Sequence, residues 1–196
     1  MEPTINKTLE CQKPSEVDKI IDLLDMTKDI PGDCLEAGIY RGDSAALILR
    51  LSEKTGKKLW LFDTFADFVI DSNDDPSLGG LFFPGDKGDV VYQEVKDRFK
   101  KNNVKVIRGS FPESGKIYLN KLRFSFAHLD MDVYTPTRKA LEFLYPRMSV
   151  GGIILLHDYF HPLIKINEAV DNFMKNKPES VVTDKENSSQ AYIIKQ

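Results

Sequence analysis

The chain has 196 residues, a length suited to one hydrophobic core rather than two full domains. With 41% hydrophobic, 10% aromatic and 29% charged residues, its composition excludes disorder and fibrous repeats. Lys and Arg total 27 against 30 Asp and Glu, a net charge of −3, so no basic field exists to attract a polyphosphate and no nucleic-acid partner is expected.

Cys11 and Cys34 stand at unrelated positions and make neither a disulfide framework nor a thiolate metal site. No apolar run approaches the roughly 18 residues of a membrane helix, and charges fill the first thirty residues where a signal peptide would be apolar. A cytoplasmic protein with no membrane partner is expected.

In chain order, Val17, Ile20, Ile21, Leu23, Leu24 and Met26 recur at helical spacing from Ser15 to Asp29, behind Pro14 and before Pro31-Gly32. This predicts an amphipathic helix within an N-terminal helical cap over residues 1–30. Cys34 to Ile39 reads as a strand, Arg41-Gly42-Asp43-Ser44 as a glycine turn, and Ala45 to Leu51 as a helix. The alternation repeats: strand Leu59 to Phe62 ending at Asp63, helix Val90 to Lys101, strand Val104 to Ile107 before Arg108-Gly109, and strand Phe124 to Leu129 ending at Asp130. Helix Thr137 to Leu144 and strand Gly152 to Leu156, ending at His157-Asp158, follow. After a helix from about Leu163 to Lys175, Val181 to Thr183 and Ala191 to Ile194 read as two strands joined by a polar turn. Strands alternating with helices predict one doubly wound, mostly parallel α/β sheet, closed by an antiparallel hairpin. Ala66 to Asp89, rich in Asp, Gly and Pro, fits neither pattern and reads as a mobile lid or acceptor-binding loop.

In such a sheet, ligands bind beyond the carboxyl ends of the strands, where strand order reverses. Four predicted strands end at Gly38 to Ser44, Asp63, Asp130 and His157-Asp158, which sets glycines, carboxylates and an imidazole along one edge. Any one of these acids could simply cap a helix or turn, but four successive strand ends make coincidence a poorer account. Glu36-x-Gly38-x-x-x-Gly42 allows close backbone approach, and the helix opening near Asp43-Ser44 offers free N–H groups to an anion. The motif departs from the dinucleotide fingerprint, since Tyr40 and Arg41 stand where a pyrophosphate would want small residues. Asp63 closes the second strand, a position suited to receiving ribose hydroxyls, so a nucleoside without a diphosphate fits better than NAD.

Asp130 and Asp158, at neighbouring strand ends, would share a point with His157 and Asp132, an oxygen-rich set able to hold Mg²⁺ or Mn²⁺. Asp132 could equally cap the following helix. Asp71-x-Asn73-x-Asp75 opens like a calcium loop, yet Pro76 replaces the turn glycine and Phe82 stands where a bidentate glutamate is needed. Ser44, Ser110 and Ser114 lack the G-x-S-x-G setting of a hydrolase nucleophile. His161 precedes Pro162 and reads as a surface residue, and Phe65 as core.

The ordered set Pro31 to Gly42, Leu61 to Phe65, His128 to Tyr134, Leu144 to Met148, Val150-Gly151-Gly152 and His157-Asp158-Tyr159 resembles the macrocin O-methyltransferase family, which methylates sugar hydroxyls of antibiotics. The resemblance covers about Pro31 to Tyr159. It implies the seven-stranded class I methyltransferase sheet, S-adenosylmethionine as methyl donor, Mg²⁺ or Mn²⁺ as metal, and a small hydroxylated acceptor, with homo-oligomerisation left open. By resemblance, Glu36 to Gly42, with Gly38, Tyr40 and Arg41 between them, receive the methionine part of the donor, Asp63 holds the ribose, and Ser44 is a further cofactor-binding residue. Gly109 and Ser110, in the Arg108 to Phe111 turn, lie near the adenine, and Thr64 and Phe65 complete the cofactor-binding residues. Asp130, which also borders the donor, falls with His157 and Asp158 where relatives place metal ligands and the base, so Asp130 and His157 are the implied catalytic groups. Many relatives carry two acids where this chain has His157-Asp158. The antibiotic-sugar enzymes also carry a longer N-terminal helical region. A nucleotide-binding module, an NAD(P)-dependent oxidoreductase and an inactive scaffold on the same sheet are the alternatives.

Overall fold

The computed structural model describes residues 13–66, 68–69, 82–83, 88–162, 164–183 and 189–196. Helix α1 (Pro14–Met26) opens on a proline in its first turn, and Glu16 caps it by accepting the Lys13 N–H at 2.7 Å. It ends three residues earlier than its periodicity suggests, because the Thr27 N–H turns back to the Leu24 carbonyl.

The strands of the main sheet are β1 (Asp33–Ala37), β2 (Leu59–Asp63), β5 (Val104–Arg108), β6 (Phe124–Leu129), β7 (Met148–Leu156), β8 (Val181–Thr183) and β9 (Ala191–Ile194). Their order is β5-β2-β1-β6-β7-β9-β8, parallel from β5 to β7 and antiparallel at β7–β9 and β9–β8. The doubly wound sheet with its closing hairpin therefore stands. Two further short strands, β3 (Phe68–Val69) and β4 (Phe82–Phe83), pair antiparallel with each other.

Alternate side chains of the central strands point to opposite faces, and both faces are buried. On one face Cys34, Leu61, Phe126, Ile153 and Leu155 pack against α1, α2 (Asp43–Ser52) and α3 (Gly88–Arg98). On the other Leu35, Phe62, Leu129, Ile154 and Leu156 pack against α5 (Tyr134–Leu144) and α6 (Ile166–Met174), with α4 (Lys116–Leu119) contributing Leu119. Each such side chain contributes roughly 1.5–3 kcal/mol of transfer free energy.

Several boundaries depart from the sequence pattern. Helix α5 starts at Tyr134, three residues early, because Pro136 is tolerated in a first turn. Strand β7 starts at Met148 rather than Gly152, bending through Gly151 at φ +82° where the β6–β7 register shifts. Helix α6 starts at Ile166, about three residues late. Helix α3 already includes Gly88 and Asp89, so the expected 66–89 loop is shorter at that end, and most of the loop lies outside the described residues. The N-terminal cap before residue 13 and the 184–188 turn lie outside them as well. Among the described residues, no helix is long and apolar enough to cross a membrane.

Candidate active site at the carboxyl edge of the sheet

Strand order reverses between β1 and β6, and their carboxyl ends meet there. The Gly38 backbone, at φ +83°, lies so close to β6 that a Cβ on it would sit 1.6 Å from the Asp130 carbonyl oxygen. Only glycine permits both the dihedral and the approach. Among the described residues, four non-glycine positions also adopt left-handed dihedrals, Tyr40 (φ 46°), Phe65 (49°), Asp132 (59°) and Asp158 (54°). They follow β1, β2, β6 and β7 respectively. At roughly 1–3 kcal/mol each, strain of this kind collects where surrounding structure enforces it for function.

Asp63, at the end of β2, organises the turn after β1. Its Oδ2 accepts the Ile39 and Tyr40 N–H groups at 2.8 and 2.9 Å, and its Oδ1 accepts the Phe65 N–H at 2.7 Å. A carboxylate offers about four acceptor positions, so roughly one is left for a ligand. The turn is also pinned from α3: Arg98 donates to the Arg41 carbonyl at 2.9 Å and to Asp43 Oδ1 at 2.8 Å, and the Gly42 backbone packs on the Phe99 ring. Arg41 reaches Glu94 on α3 at 3.4 Å.

Around this turn Tyr40, Arg41, Thr64 and Ser110 are exposed, Gly109 is half-buried, and Ser44 and Phe65 are buried. Phe65 packs on Tyr92 with ring centroids 5.2 Å apart, in keeping with a core residue. The Gly109 N–H donates to the Asp63 carbonyl at 2.8 Å, so the β5 turn is tied to the same strand end. Glu36 is not at the surface of this site. Its fully buried carboxylate meets His128 Nδ1 at 2.7 Å on the α1–α3 face of the sheet.

The second half of the site gathers Asp130, Asp132, His157 and Asp158. His157 Nδ1 lies 3.1 Å from Asp130 Oδ1 and 3.2 Å from Asp158 Oδ2, and Nε2 lies 3.7 Å from Glu16 Oε2. Both ring nitrogens are nevertheless buried without an aligned hydrogen bond. Burial alone would lower the imidazole pKa, but the three carboxylates hold it well above its ordinary range. Burial likewise opposes ionisation of Asp158, and His157 more than offsets it, leaving Asp158 below the usual carboxylate range. Glu16 is pulled down to about 2 against its own burial by His157, Ser189 and the Lys13 N–H. Asp132 is pushed up to about 8, by burial first and then by the charges of Asp130 and Asp158. No side chain caps α5, so Asp132 serves the acidic cluster and not the helix end.

Asp130, His157 and Asp158 each offer an atom within 4.8 Å of the other two, so this donor set can be tested against a divalent cation. The 3.1–3.2 Å spacings with poor hydrogen-bond alignment resemble neighbouring ligands of an octahedral ion, about 3.0 Å apart for bonds near 2.1 Å. The two carboxylates suit Mg²⁺ and Mn²⁺, and the imidazole shifts the set toward Mn²⁺ and the later transition ions. The residues fit.

Glu16 and Arg98 were not foreseen from sequence. Glu16 reads locally as a helix-capping acid, and nothing near it marks a partner in the turn after β7. His161 is exposed, where its sequence context places it.

The sheet order, the glycine turn after β1 and the acid ending β2 define a class I methyltransferase fold. Solved structures agree: the O-methyltransferase NovP covers 94% of this chain and 81% of its own at TM-score 0.72 and 20% identity. CalS11, a calicheamicin methyltransferase, covers 92% and 78% at TM-score 0.74 and 19% identity. The family model for macrocin O-methyltransferase (TylF) matches residues 13–184, and the chain belongs to that family. Curated relatives include a tetracenomycin-rhamnosyl 4'-O-methyltransferase of Streptomyces olivaceus, 27% identical over 141 residues. Another is demethyldecarbamoylnovobiocin O-methyltransferase of Streptomyces niveus, 28% identical over 153 residues. These matches cover 66% and 67% of this chain, and the chain spans 54% of the length of each relative.

Proposed function

We propose that the chain is an S-adenosylmethionine-dependent O-methyltransferase that uses a divalent cation and acts on a hydroxyl of a small sugar or natural product. The observation that carries this reading is the contact between the two halves of the site. The Gly38 turn packs on the Asp130 backbone, which sets the glycine turn directly beside the Asp130–His157–Asp158 donors. Relatives named for methylation of sugar-bearing natural products support the acceptor class.

S-adenosylmethionine, when bound, supplies an electrophilic methyl on a sulfonium, and Mg²⁺ or Mn²⁺ at Asp130, His157 and Asp158 supplies acidification of an acceptor hydroxyl. The remaining work belongs to the chain. The Gly38 to Ser44 turn, held by Asp63 and Arg98, orients the donor, with the last free acceptor position of Asp63 available to a ribose hydroxyl. Thr64, Gly109 and Ser110 border the nucleoside. Asp130 stands nearest both halves and is the group placed to receive the acceptor's proton, worth roughly 10²- to 10⁴-fold. Holding oxygen and methyl in line provides the larger share of the acceleration.

Calorimetric titration with S-adenosylhomocysteine, S-adenosylmethionine and NAD, with and without chelator, tests this. The nucleoside thioethers are expected to bind. Binding of NAD alone would favour the oxidoreductase, and binding of none the scaffold. A screen of hydroxylated metabolites with Mn²⁺ then identifies the acceptor.

A further inference from the structure

We infer that Glu16, on helix α1, is a positioning residue for the cation site, orienting His157 from outside the donor set. The inference rests on the divalent-cation reading given above.

Carboxylates face the His157 ring on two sides. Nδ1 faces Asp130 and Asp158, and Nε2 is buried with Glu16 Oε2 at 3.7 Å. An imidazole that ligates a cation through one nitrogen needs the other to carry its proton toward an acceptor, which fixes the tautomer and the ring plane. Glu16 is the carboxylate on that side. Its side chain is 3% exposed. It is also held from two further directions, since Ser189 Oγ donates to Oε1 at 2.5 Å and the Lys13 N–H donates to Oε2 at 2.7 Å.

A mere helix cap needs only the Lys13 bond and would leave its carboxylate toward water. Burial against His157 and Ser189 is therefore not explained by capping. The same carboxylate joins three parts of the chain far apart in sequence: the start of α1, the residue after β7 and the residues leading into β9. Outer partners of metal-bound imidazoles typically change affinity 10- to 100-fold when removed.

The test is Mn²⁺ affinity, read by the decrease of the free-ion electron paramagnetic resonance signal on titration into the full chain. Glu16→Ala is expected to weaken Mn²⁺ binding 10- to 100-fold while leaving S-adenosylhomocysteine affinity within about twofold of the parent. Glu16→Gln, which keeps an acceptor oxygen and loses the charge, should fall between the two. Parent-like Mn²⁺ affinity in both variants overturns the inference and leaves the methyltransferase reading standing. Absence of Mn²⁺ binding by the parent chain overturns the cation reading itself, and this inference with it. Should Glu16→Ala not fold, Glu16→Gln and Ser189→Ala carry the test, with parent-like affinity in both counting against it.

Discussion

The two edges of the sheet are built on opposite terms. At the amino-terminal edge the polar groups satisfy one another: Lys57 Nζ donates to the carbonyls of Thr27 (3.1 Å) and Ile30 and to Ser125 Oγ (2.8 Å). Asp33 Oδ2 takes the Trp60 indole N–H at 2.9 Å, and Ser149 Oγ donates to the Pro31 carbonyl at 2.6 Å. At the carboxyl-terminal edge sit four left-handed non-glycine residues, an imidazole without aligned partners and an acid pushed up to about 8. One edge stabilises the fold and the other stores strain and unmet polarity where the proposed ligands would sit. A pattern of this kind separates stability from chemistry in space.

Substitutions at the two edges should therefore behave differently. The largest effect is expected at Gly38, the one place where the edges of the distinction blur. Gly38→Ala forces a Cβ into the Asp130 carbonyl at a positive φ and should cost about 4 kcal/mol or more, abolishing S-adenosylhomocysteine binding as well, as denaturant melts and calorimetry would report. Next is Lys57→Met at the amino edge, which removes the donor to the Thr27 and Ile30 carbonyls and to Ser125 Oγ. It should cost about 2–3 kcal/mol in a urea melt with donor affinity unchanged. Altered affinity there would break the comparison.

The third prediction concerns pH. Glu179 accepts Lys195 Nζ at 2.6 Å, the Gln196 N–H at 3.1 Å and the Tyr145 hydroxyl at 2.5 Å, and these bonds outweigh burial to lower its pKa to about 2. Because the folded value lies below the unfolded one, the stabilisation is present above about pH 4.5 and fades as pH falls toward 2. It amounts to roughly 2 kcal/mol. Glu179→Gln should flatten that part of the stability–pH curve.

The smallest effect carries the opposite sign. Asp132→Asn removes a carboxyl that Asp130 and Asp158 disfavour as a charge, so in chelator it should stabilise the chain by about 1 kcal/mol, seen as a raised melting temperature. Loss of stability there would remove the distinction between the edges.

Much of this architecture is legible in the sequence. The strands of Cys34 to Ala37, Leu59 to Phe62 and Phe124 to Leu129 announce themselves as short apolar runs that end in glycine or acid. That alternation suffices for sheet, layers and edge. Asp130, His157 and Asp158 follow, because strand ends of a parallel sheet share an edge. What escaped depends on tertiary contact. Ser149-Val150-Gly151 has no strand-like alternation, and its place in β7 is decided by pairing across a register shift. Asp63 looks like a ligand group in sequence, yet three backbone N–H groups occupy most of it. Glu16 meets a hydroxyl 173 positions away, a distance over which no local pattern extends.

Helix α3 gives the design a modular character. Its first residue, Gly88, packs against the Phe65 carbonyl so closely that a Cβ there would stand 1.7 Å from that oxygen, while Arg98 near its far end grips the turn after β1. The chain on either side of residues 67–87 is thus brought together at one close backbone contact. A change in the length of that segment is therefore expected to leave the turn after β1 in place, since Asp63 and Arg98 hold that turn.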